Sequence, residues 1–190
     1  MNYIPPAAQF AFDVNSNPLF ILDENNYINK LGIEELNTLD NVSLLDIFLS
    51  KDHVIEPHYH QDSAELVYCV SGAATVTLLN PYTKQLQSYA IAPGQVANIP
   101  QGWWHYIVAN ADRTHLLAVF NAPTPQVILG SEILKYTPAR IMAHTYCIDE
   151  KLWTEAVSPV QPPTYIGPQG NCKPAAPYYP FPVQPYWGAK

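Results

Sequence analysis

The sequence has little positive charge and few cysteines, and both shortages exclude classes of function. Nine basic residues, of which two are arginines, stand against 16 acidic ones and set the formal net charge at −7. A chain without a basic patch is not expected to bind nucleic acid or an anionic membrane. Three scattered cysteines, none in a Cys-x-x-Cys pair, exclude a disulfide framework and a thiolate zinc site.

Long apolar runs are missing as well. No stretch approaches the ~20 consecutive apolar residues that a membrane-spanning helix needs. The first six residues, Met-Asn-Tyr-Ile-Pro-Pro, lack the charged start and the apolar run of a secretory signal. These two absences predict a cytoplasmic protein.

The composition indicates a folded domain with a distinct tail. Hydrophobic residues make up 48% of the 190 residues and charged ones 13%, which is too apolar for a disordered chain and too weakly charged for a coiled coil. Proline outnumbers glycine by 19 to 8, and nine of the prolines fall within 159–190. Segment 158–190 is therefore predicted to be an extended tail, in part of polyproline type, that follows one compact domain.

Short apolar runs between turn signals dominate the middle of the chain. The turn signals include Ser71-Gly72, Asn80-Pro81 and Pro93-Gly94. A spacing of about ten residues between runs is typical of an all-β sandwich or barrel. The predicted strands are 27–31, 42–49, 53–60, 65–70, 74–79, 87–91, 96–99, 106–108 and 114–120.

Other segments flank these strands. Prolines interrupt residues 1–25, which are predicted to form an irregular arm. Helix is predicted only after the strands, beginning at Thr137-Pro138 and at Asp149-Glu150, because capping and acidic residues favour a helix N-terminus. The predicted division is arm 1–25, barrel 26–135, short helices 136–157 and tail 158–190.

Three histidines and one glutamate are candidate metal ligands. His58 and His60 lie two residues apart in a predicted strand, so their imidazoles share one face. Glu65 reaches that face if residues 61–64 form a turn, and His105 follows the turn at 100–102. Such a set can hold a divalent metal with two open positions, and its mixed N/O donors suit Mn, Fe, Ni or Cu better than zinc. Taken singly, each of these residues is more often a surface or core residue than a ligand.

The spacing of these residues resembles two motifs of the cupin superfamily. The first motif has the form G-x5-H-x-H-x3,4-E-x6-G, and residues 58–72 match it while Asp52 occupies the leading glycine. The second has the form G-x5-P-x-G-x2-H-x3-N, and its asparagine is one place late in this chain, at Asn110. The positions that match the second motif are Gly94, Pro100, Gly102 and His105.

This resemblance covers roughly residues 26–135 and implies a small jelly-roll antiparallel β-barrel with a metal inside. It makes His58, His60, Glu65 and His105 the ligands, with Mn the first expectation and Fe the second. The lead-in to His58 and the ending from Ser131 to His144 are similar to the germin and oxalate decarboxylase branch. A single-barrel, metal-dependent decarboxylase or oxidoreductase acting on a small organic acid is therefore the leading interpretation.

Two departures from that branch bear on the reaction. Oxalate decarboxylases carry an arginine three residues before the first ligand histidine, where this sequence has Ile55. They also carry a glutamate in a lid after the last strand, and the matching stretch 121–127 contains no acid. Proton delivery therefore has no evident donor in the sequence. The metal site transfers to this chain more completely than the reaction does.

Two other readings of function stay open. A non-catalytic storage, coat or small-molecule-binding cupin fits the aromatic tail and the missing accessory residues. A sugar-phosphate isomerase is weaker, because phosphate binding favours lysine or arginine near the site. Catalytic residues are unknown from sequence, and the candidates are Asn98 and Trp103. Asn98 is either an inward polar group that could bond a substrate or an ordinary polar position. Trp103 is either a pocket wall or packing at the barrel mouth.

Partners and packing complete the predictions. A small carboxylate is the expected ligand, and an apolar sheet face predicts a homo-oligomer. Cys69, Phe48 and Phe120 are predicted to lie in the core. His53 and His115 match neither motif and are predicted to be structural or exposed.

Overall fold

The computed structural model describes residues 8–170 and Cys172. Within them, 3₁₀ turn Val14–Ser16 precedes the first strand. The strands are β1 Pro18–Asp23, β2 Asn26–Leu31, β3 Ser43–Leu49, β4 Val54–Tyr59, β5 Glu65–Ser71, β6 Ala74–Leu79, β7 Leu86–Ile91, β8 Val96–Ile99, β9 His105–Ala109, β10 Thr114–Phe120, β11 Ile128–Leu129 and β12 Ile166–Gly167. The helices are α1 Gly130–Tyr136, α2 Ala139–Tyr146 and α3 Glu150–Val157.

The strands form two antiparallel sheets that face each other. One sheet has the order β1-β2-β3-β10-β5-β8, and the other has the order β11-β4-β9-β6-β7 with β12 also paired to β4. The core lies between them, where inward side chains of both sheets are fully buried. Core residues with no exposed surface include Val67, Cys69, Val76, Ile107, Leu116 and Ala118.

The all-β prediction is confirmed, and each of the nine predicted strands corresponds to one of β2–β10. Two interior strands show why such short runs form strands, because β10 alternates buried with half-buried residues and the first five residues of β5 alternate buried with exposed ones. The predicted helices from Pro138 and Asp149 correspond to α2 and α3. In α3 the Asp149 carboxylate accepts a hydrogen bond from the Leu152 N–H at 2.9 Å, as expected of an N-cap.

Two predicted boundaries are wrong. Segment 18–23 lies in the predicted irregular arm but forms β1, which pairs with β2. Pro18 is the first residue of this edge strand, where the missing N–H breaks no ladder. Helix α1 begins at Gly130, inside the predicted barrel range, and the Glu132 carboxylate accepts the Leu129 N–H at 3.0 Å at its start.

The first part of the predicted tail docks on the barrel. Ile166 is fully buried in β12, which pairs with the start of β4. Tyr165 packs against Phe20 of β1, with ring centroids 5.4 Å apart. Residues 171 and 173–190, which include Tyr178, Tyr179, Tyr186 and Trp187, lie outside the described residues.

Core predictions hold for two of three residues. Cys69 and Phe120 are buried. Phe48 is wrong as a core residue, because alternation in β3 turns it to the outer face. There its ring stacks between Tyr27, at 4.6 Å, and His115, at 4.3 Å.

The outer face of the β5–β8 region carries exposed apolar side chains. Leu66, Tyr68, Val70 and Val96 are each more than a third exposed. This face is the one that the predicted homo-oligomer would cover, and assembly stays a prediction. In the described part of the chain, no helix has the length and apolarity required to cross a membrane.

Backbone conformation accounts for two motif positions. Gly72 has a φ of 73°, and a Cβ there would lie 2.5 Å from the Thr114 hydroxyl oxygen. Asp52, in place of the leading motif glycine, has a φ of 67°. Aspartate is among the residues that enter this left-handed region more readily than most, so the departure from the motif leaves the turn intact.

Candidate metal centre

All four predicted ligands meet at one end of the barrel. His58 of β4 lies directly opposite His105, the first residue of β9, in the antiparallel register. His60 follows β4 by one residue, and Glu65 begins β5 in the opposite sheet. The bend at 61–62 provides the turn that the sequence required, and it is anchored by a hydrogen bond from the Gln101 side-chain amide to the Gln61 carbonyl at 2.7 Å.

The cluster is buried and compact. Each of the four residues is at most 6% exposed. One donor atom from each can be chosen so that all four lie within 4.8 Å of one another. An ion with ligand bonds of about 2.0–2.2 Å separates opposite ligands by at most about 4.4 Å, so small side-chain movements would close the set around it.

Backbone carbonyls fix the orientation of every imidazole. The Nδ1 atoms of His58, His60 and His105 lie 2.6, 2.9 and 2.8 Å from the carbonyl oxygens of residues 56, 126 and 103. A carbonyl can only accept, so each Nδ1 carries the proton. In the neutral imidazoles each Nε2 therefore presents a lone pair, which is the arrangement found in metal-ligating histidines.

Glu65 faces these lone pairs. Its Oε2 lies 2.9 Å from Nε2 of His105 and 3.4 Å from Nε2 of His60. A carboxylate oxygen and a neutral Nε2 are both acceptors, so the pair is stable only with a cation or a proton between them. The donor set therefore fits a divalent metal.

Charge in the cluster is divided among its members. Burial, followed by repulsion from His105, lowers the pKa of His58 to about 3 and keeps it neutral. Burial alone would raise the pKa of Glu65, but its close contacts with Nε2 of His105 and of His60 hold that pKa well below its usual value. Burial would also lower the pKa of His60, yet the contact with Glu65 raises it. The cluster thus keeps an anionic carboxylate beside a neutral His58.

A cavity of about 220 Å³ adjoins the cluster. His58, His60 and Glu65 form part of its wall. Most of the remaining wall is apolar, and it includes Ile28, Leu45, Ile47, Phe120, Val127 and Leu129. A ligand in this cavity could reach the cluster without crossing the core.

The catalytic candidates from the sequence do not line this cavity. Asn98 is exposed between buried Ala97 and Ile99, so it lies on the outer face, where an ordinary polar residue is expected, and not on the inner face that a substrate contact would need. The Trp103 side chain packs on the core and lines a separate cavity with Leu78 and Tyr89. Trp103 thus packs on the core and walls a cavity other than the one beside the cluster, while its carbonyl accepts the hydrogen bond from Nδ1 of His105.

Charged residues near the cavity were missed by sequence reasoning. Lys30, Glu34 and Glu35 line it from β2 and the following turn. Lys30 lies two residues after the apolar Ile28 in the predicted strand 27–31, so the alternation of side chains could have placed Lys30 on the same inner face. Nothing local places this strand beside a cluster formed more than 25 positions later, because the contact depends on the pairing of β2 with β3.

Two antiparallel sheets enclosing a buried cluster of three histidines and one carboxylate define a β-barrel of the metal-capable type. The sequence profile named Cupin matches residues 23–152, which is more than half of the chain. The chain therefore belongs to the cupin family. No curated protein sequence matches it.

Solved structures share the fold at low sequence identity. Coconut allergen cocosin has a TM-score of 0.73 at 16% identity, over 83% of this chain and 43% of its own. Oxalate decarboxylase from Lactobacillus farciminis, solved as a formate complex, has a TM-score of 0.70 at 23% identity. The match covers 90% of this chain and 52% of the decarboxylase chain. The Bacillus subtilis oxalate decarboxylase, a protein with Mn(II) centres, has a TM-score of 0.70 at 21% identity. The match covers 96% of this chain and 50% of the decarboxylase chain. The chain thus spans about half the length of the structures it matches.

Proposed function

We propose that this cupin is a metal-dependent enzyme that binds a divalent ion through His58, His60, Glu65 and His105. The carrying observation is the set of three Nδ1–carbonyl hydrogen bonds that present three Nε2 lone pairs to a buried carboxylate. Manganese is the first candidate and iron the second among the metals that suit mixed N/O donors without a thiolate. The Mn(II) centres of the Bacillus subtilis oxalate decarboxylase support the same order.

The proposed reaction class is decarboxylation or oxidation of a small organic acid. A divalent ion at this site would supply Lewis acidity to an oxygen of the substrate. The protein groups have separate tasks. The three histidines and Glu65 orient the ion, and the apolar wall excludes water. Glu34 and Glu35 are the acids outside the cluster that line the cavity, and they supply the groups for proton exchange.

Segment 121–127 lines the cavity beside the cluster but contains no acidic residue. Pro123, Thr124, Pro125 and Val127 line the cavity. The carbonyl of Gln126 holds His60 by accepting from Nδ1. A lid that acts through a carboxylate is therefore absent from this segment, and the acids instead come from the turn after β2.

The experiment is elemental analysis of untagged protein produced with manganese and iron both available. Wild type should carry near-stoichiometric metal, and His58→Ala should carry none. His115→Ala is the matched control, because His115 also pairs with a carboxylate, that of Asp46 at 2.5 Å, but outside the cluster. Metal-loaded protein is then assayed for turnover of oxalate and related acids, with and without oxygen. Folded wild type without metal would overturn the proposal.

A non-catalytic storage or binding protein is the second candidate. The observation that favours it is the likeness to cocosin and to the 11S globulin procruciferin of Brassica napus, the latter with a TM-score of 0.74 at 17% identity, over 83% of this chain and 42% of its own. Metal-loaded protein that binds acids but turns none over would support this second function.

A further inference from the structure

The cavity beside the metal cluster contains a single basic side chain, Lys30, among the residues that line it. Lys30 pairs with Leu45 in the β2–β3 register, and Leu45 pairs with Ala118 of β10. Cross-strand partners share a face, so Lys30 lies on the inner face of the sheet. It lies two residues after the core residue Ile28 and is on the same side of the strand.

The sheet register separates Lys30 from the cluster. Ala118 pairs with Val67, which is two residues beyond Glu65 on β5. Three interstrand spacings, about 14 Å along the sheet, therefore separate the backbone of Lys30 from that of Val67. The cation and the metal cluster approach the cavity from different strands, with apolar side chains between them.

The partners of Lys30 leave room for a ligand. Its Nζ lies 3.1 Å from Oε1 of Glu35 and 3.4 Å from Oε2 of Glu34. Glu35 is 12% exposed and also accepts the Gly32 N–H at 2.9 Å, so it is held in place. Glu34 is 69% exposed, and an exposed ion pair of this kind is weak. An ammonium has three donors, so an anion in the cavity can bind Nζ beside Glu35 or in place of Glu34.

We propose that the ligand of this cavity is a monocarboxylate with an apolar body. Its carboxylate pairs with Lys30, and its body runs along the apolar wall toward the histidine cluster, where an oxygen at its far end would meet the ion. This inference rests on the proposed function, since it names the substrate class of that site. Oxalate has no apolar body to cover Ile47, Phe120 or Leu129. Lys30 then sets specificity from the opposite side of the cavity to the metal.

The test is calorimetric binding of straight-chain monocarboxylates from acetate to octanoate, with the matching primary amides, to metal-loaded and metal-free protein. Affinity should rise about fourfold per added CH₂ until the cavity is full. Lys30→Met should weaken carboxylate binding by about tenfold or more and leave amide binding unchanged. Glu34→Gln should strengthen carboxylate binding, because it removes a competing acid. Lys84→Met, on the distant β6–β7 turn, is the matched control and should change nothing.

Metal removal separates the two possible positions of the carboxylate. Binding through Lys30 persists in metal-free protein, whereas binding on the ion is lost. Carboxylate affinity that disappears with the metal and is unchanged in Lys30→Met would overturn this inference. So would equal affinity for acetate and octanoate. Metal content, measured on the same samples, reports on the proposed function separately, so failure of one is distinguishable from failure of the other.

Discussion

Two buried glutamates, nine positions apart, show how the same side chain serves opposite purposes. The Glu56 carboxylate accepts hydrogen bonds from Ser131 N–H and O–H at 2.8 and 3.1 Å and from the N–H groups of Thr164 and Tyr165 at 3.0 and 2.8 Å. Glu65 is buried to a similar degree, but its Oε2 faces imidazole nitrogens. The hydrogen bonds of Glu56 all come from protein donors, whereas Glu65 needs a cation or a proton between its oxygen and the facing nitrogens.

The surroundings of the two glutamates also differ in which parts of the structure they hold together. Glu56 joins β4 to the start of α1 and to segment 164–165, which closes the barrel wall. Its backbone carbonyl holds Nδ1 of His58, so the structural region supports the metal centre without contributing a ligand. A buried carboxylate is therefore informative only together with the groups that it meets.

Replacing Glu65 should have the largest effect in this comparison. Glu65→Gln keeps the shape of the side chain and removes the charge, so we expect metal affinity to fall by about 100-fold or more, above what changes to supporting residues cost. Metal titration of metal-free protein, followed by calorimetry, measures this. Asp46→Asn is the matched control, because it neutralises the carboxylate of the other histidine pair. Retention of wild-type affinity in Glu65→Gln would remove Glu65 from the ligand set.

Replacing Glu56 should destabilise the fold and spare the ligands. Glu56→Ala leaves four donors without their acceptor, and we expect a loss of roughly 3 kcal/mol in the free energy of unfolding. Urea denaturation measures the loss. Amide hydrogen exchange at Tyr165 and Ile166 should accelerate, because their segment loses its anchor. Near-stoichiometric metal in the folded variant is expected, and its loss would show that the Glu56 carboxylate itself is needed at the centre.

Acid should destabilise the metal-free protein through His58. Burial lowers its folded pKa to about 3, against an ordinary value of 6.5, so the unfolded chain takes up a proton that the folded chain resists. Stability therefore falls as pH drops below 6.5, by roughly 1.5 kcal/mol between pH 6.5 and 5. The raised pKa of His60 acts in the opposite sense, mainly above pH 6.5. Urea denaturation of wild type and His58→Gln at about pH 6.5 and about pH 5 measures this. The loss of unfolding free energy between the two pH values should be smaller in the variant, and an equal loss would contradict the assignment to His58.

The difference between the two glutamates marks the limit of what the sequence predicts. His58, His60, Glu65 and His105 were predictable because period-two alternation and motif spacing are local properties of strands. The role of Glu56 was not, since its partners come from residues 131, 164 and 165, more than 70 positions away. Long-range pairing decides which distant donors meet a side chain, and no local pattern encodes it.

The same argument applies to strands and faces. Strands β2–β10 were predictable from short apolar runs between turn signals, whereas β1 and β12 exist because neighbouring strands offer them edges to pair with. The face of Asn98 stayed open in the sequence for a related reason. In a four-residue strand one position of error in phase reverses every side chain, and β8 has too few residues to correct it.

The smallest effect should come from the two catalytic candidates of the sequence. Asn98→Ala changes an exposed outer-face residue and should alter neither metal content nor turnover. Trp103→Phe trims apolar packing on the core and against Tyr82, at a cost of about 1 kcal/mol. The variant keeps the backbone carbonyl that accepts a hydrogen bond from His105. Metal affinity should therefore stay within about twofold of wild type, which is a change in binding free energy smaller than RT. A tenfold loss of metal affinity in Trp103→Phe would show that the indole, and not the carbonyl alone, positions His105.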